Sequence, residues 1–138
     1  MKLCSMKNVS KNTNYAIVFS IKPHYAEMIF SGIKGFEFRT TKCLRNVEKA
    51  YVYATSPLSA IIGEFRIKSI LESNPKEIWR LTKNRAGITK EEYEKYYTGR
   101  TKAIAYEICC AKKYREPISL NKFGISRAPQ SYLYIPEI

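Results

Sequence analysis

Apolar residues in this chain fall in short runs, divided by polar segments marked with proline and glycine, and the period of each run assigns its element. Tyr15 to Ser20 is rich in β-branched and aromatic residues and predicts a first strand. Pro23 suits the first turn of a helix, and Ala26, Ile29 and Phe30 form an i, i+3, i+4 stripe. Gly32 can then take the left-handed stop. Phe36 to Arg39, Ala50 to Ala54 and Ala60 to Ile70 predict three more strands, and Gly63 marks a bulge or a barrel bend in the last. Asn74-Pro75-Lys76-Glu77 and Thr89-Lys90-Glu91-Glu92 each set a capping residue three positions ahead of a glutamate. The first opens a helix with Trp79 as a core anchor. The second opens one whose Tyr93, Tyr96 and Tyr97 form a packed face, ending at Gly99. Lys102 to Cys110 predicts a fifth strand, with Ala103 and Ala105 opposite Ile104, Tyr106 and Ile108. Tyr132 to Ile135 predicts the last.

About six short strands with two or three helices in the crossings give an α+β fold, read as a small β-barrel with helices packed around it. Spacing alone does not separate a closed barrel from an open sheet. Residues 15–138 form one domain, and the polar, lysine-rich stretch Met1 to Asn14 is expected to be a flexible tail.

Charge narrows the partners. The 138 residues carry 24 basic and 12 acidic side chains, a net charge of +12, which points to a polyanionic partner, most often a nucleic acid, RNA or DNA. The apolar runs are strand-sized, so no membrane span is expected. The N-terminus has no apolar h-region, so a cytoplasmic protein with reduced thiols is expected. Every acid is a glutamate, which disfavours aspartate-built magnesium sites. Cys4, Cys43, Cys109 and Cys110 show no C-x-x-C spacing, and His24 is the only histidine; no metal or cofactor is expected. Strand alternation would point Cys109 and Cys110 to opposite faces.

The most informative stretch is Gly32-Ile33-Lys34-Gly35-Phe36-Glu37-Phe38-Arg39. In an extended segment Phe36 and Phe38 point one way, into a core, while Glu37 and Arg39 point the other, into a polar cleft with Lys34 at its lip. A carboxylate can accept from a base amino group, and a guanidinium can hold a phosphate bidentately, which suits an anionic ligand such as a nucleotide. Lys22 precedes a helix N-terminus, where free backbone N–H groups favour anions. Tyr53, Ser56, Gln130, Ser131 and Tyr132 lie near turns able to face the same cleft, and a tyrosine there could stack a base.

Gly32, Lys34, Glu37 and Arg39 together match a G-x-K-x-x-E-x-R motif, and the chain resembles the ASCH branch of the PUA-like superfamily. Ser20-Ile21-Lys22-Pro23 with Tyr25-Ala26, Tyr53-Ala54-Thr55-Ser56-Pro57, Gly63-Glu64-Phe65 and Pro129-Gln130-Ser131-Tyr132 resemble a prokaryotic ASCH-like subgroup, in the same order. The resemblance spans Tyr15 to Ile135. It implies a β-barrel with a cleft beside it and a role in binding RNA or modified bases. On that reading Lys22, Lys34, Glu37 and Arg39 form the cleft floor, and Tyr53, Ser56, Gln130 and Ser131 its walls. Some ASCH proteins hydrolyse the acetyl group of acetylcytidine with a lysine, a threonine and a later glutamate. Here Lys34 matches the lysine, Glu37 replaces the threonine, and no glutamate stands near Arg85-Ala86-Gly87. Were the protein an enzyme, acting on a modified nucleoside or cleaving RNA, Lys34 would be the activating group, with Glu37 or Glu64 as proton carrier. A non-catalytic interaction module is the third alternative.

Overall fold

The structure, a computed structural model, describes residues 15–137. Six strands, β1 (Tyr15–Ile21), β2 (Phe36–Arg39), β3 (Val47–Ala54), β4 (Ala60–Ser73), β5 (Ala103–Ile118) and β6 (Tyr132–Pro136), alternate with three helices, α1 (Pro23–Phe30), α2 (Pro75–Thr82) and α3 (Lys90–Tyr96). The expected tail, residues 1–14, lies outside the described residues.

The strands form one mixed sheet in the order β2-β5-β4-β3-β1-β6. Only β1 and β3 run parallel, joined by a crossover through α1 and β2. The fold is therefore α+β, but the expected barrel is not closed. Among the described residues β2 and β6 are the sheet's two edges and share no backbone ladder. β2 is four residues long and, among the described residues, pairs solely with β5. The curled sheet is fastened across this gap by side chains, chiefly Arg39.

Alternation distributes the core. Ile104, Tyr106 and Ile108 of β5 enter the main core with Phe19, Val52 and Phe65, beneath Ala26 and Ile29 of α1. Ala103 and Ala105, on the opposite face, pack with Phe36, Phe38, Ile78, Tyr93 and Tyr97 under α2 and α3. A third cluster joins Val18, Tyr53, Ile61 and Ile125, with Phe123 of a short 3₁₀ turn against it.

Several strands outrun their expected ends, β5 by the most. β5 continues beyond Cys110 through the basic run to Ile118, because β4 supplies a pairing partner as far as Ile61. Gly63 sits where that ladder shifts register. A Cβ there would collide with the Phe30 ring and lie 2.5 Å from the Lys112 carbonyl, so only glycine fits. The second surprise corrects the expected divergence of the neighbouring cysteines. Between Arg66↔Cys109 and Glu64↔Lys112 the ladder holds one extra residue on β5, and Cys110 takes φ +59°. This bulge breaks the alternation and brings the two Sγ atoms to 3.5 Å, with both thiols free.

Candidate functional site

The site begins where α1 stops. Gly32 adopts φ +87°, and the chain then runs through Lys34 and Gly35 into β2, pinned by three backbone hydrogen bonds. Lys34 N donates to Met28 O at 3.0 Å, Gly35 N to Arg85 O at 2.8 Å, and Ile108 N to Gly35 O at 2.9 Å. Gly87, at φ +71°, presses so close that a Cβ would lie 2.5 Å from Lys34 Cβ.

This packing sinks Lys34, which is only 4% exposed. It lines the cleft and is buried, deeper than the lip position read from strand alternation. Its ammonium donates to the Ala86 carbonyl at 3.3 Å and sits 4.7 Å from the Phe38 ring centroid and 5.5 Å from that of Tyr25. Among the described residues no carboxylate lies within 4.0 Å of it. Burial pushes its pKa below the ordinary lysine value; the Glu37 charge opposes that shift and the Arg39 charge adds to it.

Glu37 and Arg39 share a face, as strand parity requires. Arg39 Nε donates to Glu37 Oε2 at 3.0 Å, and NH2 lies 2.8 Å from the same oxygen. The guanidinium also donates to Ser131 Oγ at 2.9 Å, the Ser131 carbonyl at 3.3 Å and the Ser20 carbonyl at 3.0 Å, while stacking over Phe19. Arg39 thus bonds Glu37 on its own strand, Ser20 on β1 and Ser131 just ahead of β6.

Above these groups opens a cleft of about 470 Å³ lined by β1, α1, β2 and α3. Lys22, Lys34, Glu37 and Arg39 all line it. Ser131 touches the site through Arg39. The other expected wall residues stand elsewhere: Tyr53 is 7% exposed inside the third cluster, and Ser56 and Gln130 are exposed in loops outside the lining. Turn proximity in sequence did not say which way those turns face.

The wall is instead made by Tyr25, Glu92, Lys95 and Tyr96. The Tyr25 hydroxyl donates to Glu92 Oε2 at 3.1 Å, joining α1 to α3 across the cleft. Burial, then the bond to Glu92, raises the Tyr25 pKa. Tyr93 and Tyr97 do pack into the core as expected, but Tyr96 is 46% exposed on the cleft side. A signal was present: residues 92, 95 and 96 stand at i, i+3, i+4, a face of their own. Glu92 also brings a later helical carboxylate into the cleft, a few residues beyond the segment where the resemblance called for one. Four cations, Lys22, Lys34, Arg39 and Lys95, face two carboxylates, Glu37 and Glu92. Among the described residues no cluster of three His, Cys, Asp or Glu could hold a metal, and no helix is long and apolar enough to cross a membrane.

Fold and cleft together define an ASCH-type domain, and the comparisons bear this out. The crystal structure of ASCH from Zymomonas mobilis superposes with a TM-score of 0.79 at 27% identity, covering 87% of each chain. The chain belongs to the family described as Domain of unknown function (DUF365), which matches residues 14–133. An ASCH domain-containing ribonuclease of Zymomonas mobilis is 29% identical over 123 residues, 86% of this chain and 82% of its own. Large ribosomal subunit protein uL22 of Ureaplasma parvum is 32% identical over 126 residues, 91% of this chain. The chain spans 40% of the length of that protein.

Proposed function

We propose that the cleft binds RNA, seating a phosphate against Lys34 and a base edge against Glu37 and the polar wall. The observation that carries this reading is the buried Lys34 ammonium, which among the described residues hydrogen-bonds a neutral carbonyl and has no carboxylate within 4.0 Å. A buried cation without a counter-charge is costly, and an anionic guest offsets that cost. The cleft beside it is open and carries more cations than carboxylates. The Arg39 guanidinium is already committed to four oxygens, so its role is to hold the floor in shape while Lys34, Lys22 and Lys95 meet the backbone. Likeness to an ASCH domain-containing ribonuclease supports RNA over DNA. Fluorescence anisotropy with a labelled single-stranded RNA tests it. Binding that is lost in Lys34→Met is the expected result; equal binding by that variant removes the reading.

Cleavage of the bound strand is a second reading, favoured by the lowered pKa of Lys34. A lysine that gives up its proton more easily than usual can take one from an attacking hydroxyl, with the Tyr25–Glu92 pair nearby to exchange protons. Incubation with RNA and analysis of the fragment ends checks this, with Lys34→Ala as the inactive control.

A further inference from the structure

The Cys109–Cys110 bulge lies behind the Lys34 segment, outside the cleft. Three features meet there. The two Sγ atoms are 3.5 Å apart, although adjacent strand residues normally diverge. Cys110 holds φ +59°, a conformation that costs a non-glycine residue about 1–3 kcal/mol and is ordinarily left to glycine in such bulges. Both cysteines line a separate cavity of about 390 Å³, so a group bound to sulfur has room.

We propose that Cys109 and Cys110 form a two-thiolate chelating site for trivalent arsenicals and similar soft, thiophilic electrophiles. The bite fits without backbone movement. With the zinc–thiolate length of about 2.3 Å as a guide for each bond to sulfur, a separation of 3.5 Å gives an S–X–S angle of about 100°, which suits a pyramidal three-coordinate arsenic(III). Direct disulfide formation suits the pair less well. Adjacent trans residues hold their Cα atoms about 3.8 Å apart, below the usual disulfide range of about 4.4–6.8 Å. Among the described residues no cluster of three His, Cys, Asp or Glu could hold a metal, so a zinc site closed by protein ligands is not available. The guest must be content with two thiolates and bring its remaining substituent along, as a monosubstituted arsenic(III) does. In the step R–As(OH)₂ + 2 R′SH → R–As(SR′)₂ + 2 H₂O, two As–O bonds break and two As–S bonds form. The thiol protons leave with the hydroxyls as water, and no atom changes oxidation state. Exposed Cys110 makes the first bond and half-buried Cys109 closes the chelate.

Titration of the reduced full chain carrying Cys4→Ser with phenylarsine oxide tests this, read by intact mass and by mapping which cysteines resist N-ethylmaleimide. The expected result is one phenylarsenic group per folded chain, protecting Cys109 and Cys110 together. It should be reversed by stoichiometric 2,3-dimercaptopropanol but not by equimolar 2-mercaptoethanol. Adding Cys109→Ser or Cys110→Ser should weaken uptake at least tenfold, while Cys43→Ser leaves it unchanged. No adduct on the folded chain, protection of one cysteine alone, or uptake that survives in either serine variant overturns the proposal. The protection map needs no variant at either position, so it decides the matter even where a serine disturbs the bulge.

Discussion

Arg39 and Ser131, ninety-two residues apart, are joined by two hydrogen bonds, 2.9 Å to the hydroxyl and 3.3 Å to the carbonyl. With the Arg39–Ser20 bond they tie the edge strand β2 to the opposite border of the sheet, where no backbone ladder does so. Arg39→Ala should therefore act on the fold first. It also strands the nearly buried Glu37 carboxylate without its partner, and a loss of about 3 kcal/mol is expected. Ser131→Ala removes one neutral acceptor and should cost about 1 kcal/mol. Urea denaturation of the two variants checks the order; an Arg39→Ala protein as stable as wild type would show that the sheet holds its curl unaided.

Lys34 should behave in the opposite sense. Lys34→Met replaces a buried charge that has no carboxylate beside it with an apolar chain of similar length, and should raise stability by about 1 kcal/mol while abolishing RNA binding. Loss of binding with a gain in stability is hard to obtain by damaging the fold, so the pair of readouts separates function from structure.

The pH dependence of the same residue has a definite sign. Burial lowers the folded-state pKa of Lys34 below its ordinary 10.5, so between those two values the unfolded chain holds more protons. Unfolding free energy should then gain a rising contribution with pH across that window, and the contribution should vanish in Lys34→Met. RNA affinity should run the other way. A bound phosphate favours the protonated ammonium, so binding should weaken as pH climbs through the lowered pKa. Paired denaturation and anisotropy series, each with the variant as control, check both slopes.

Much of this was readable in the amino-acid order, for reasons tied to particular residues. Alternation placed Phe36 and Phe38 in one core and Glu37 with Arg39 on the other side, because a four-residue strand leaves no other parity. The depth of Lys34 was not readable, since it depends on Ala86 and Gly87, more than fifty residues on, closing over it. Tyr53 and Gln130 were assigned to the cleft from turn proximity and the family resemblance, whereas facing is set by tertiary packing. The open edge escaped for a related reason: strand count suggests a barrel, whereas closure depends on which edges meet in the folded sheet. The cysteine contact was hidden because a bulge adds one residue without leaving a glycine to announce it.

Gly87→Ala probes that lid directly. The added methyl would need a positive φ and would meet Lys34 Cβ at 2.5 Å, with backbone and not a flexible tip on the other side of the clash. A destabilisation of about 1–3 kcal/mol is expected, together with weakened RNA binding as Lys34 is pushed from its place. Gly99→Ala, where a Cβ meets nothing within 4 Å at a similar φ of +75°, is the matched control: it carries the backbone strain alone and should leave binding intact.

Salt distinguishes backbone contact from base recognition. For single strands the logarithm of affinity falls against the logarithm of salt with a slope of about −0.7 per phosphate neutralised. Among the described residues Lys22, Lys34 and Lys95 are the cleft cations not held in an ion pair, so a slope of about −2 is expected for a short RNA confined to the cleft. Lys22→Met and Lys95→Met should each make it shallower by about 0.7, with little change in which sequences bind, because both side chains meet phosphate and not a base edge. Glu37→Gln should do the reverse, keeping the slope and altering the preference among bases. An unchanged slope in both lysine variants would mean that RNA, if bound, lies along another of the chain's basic surfaces.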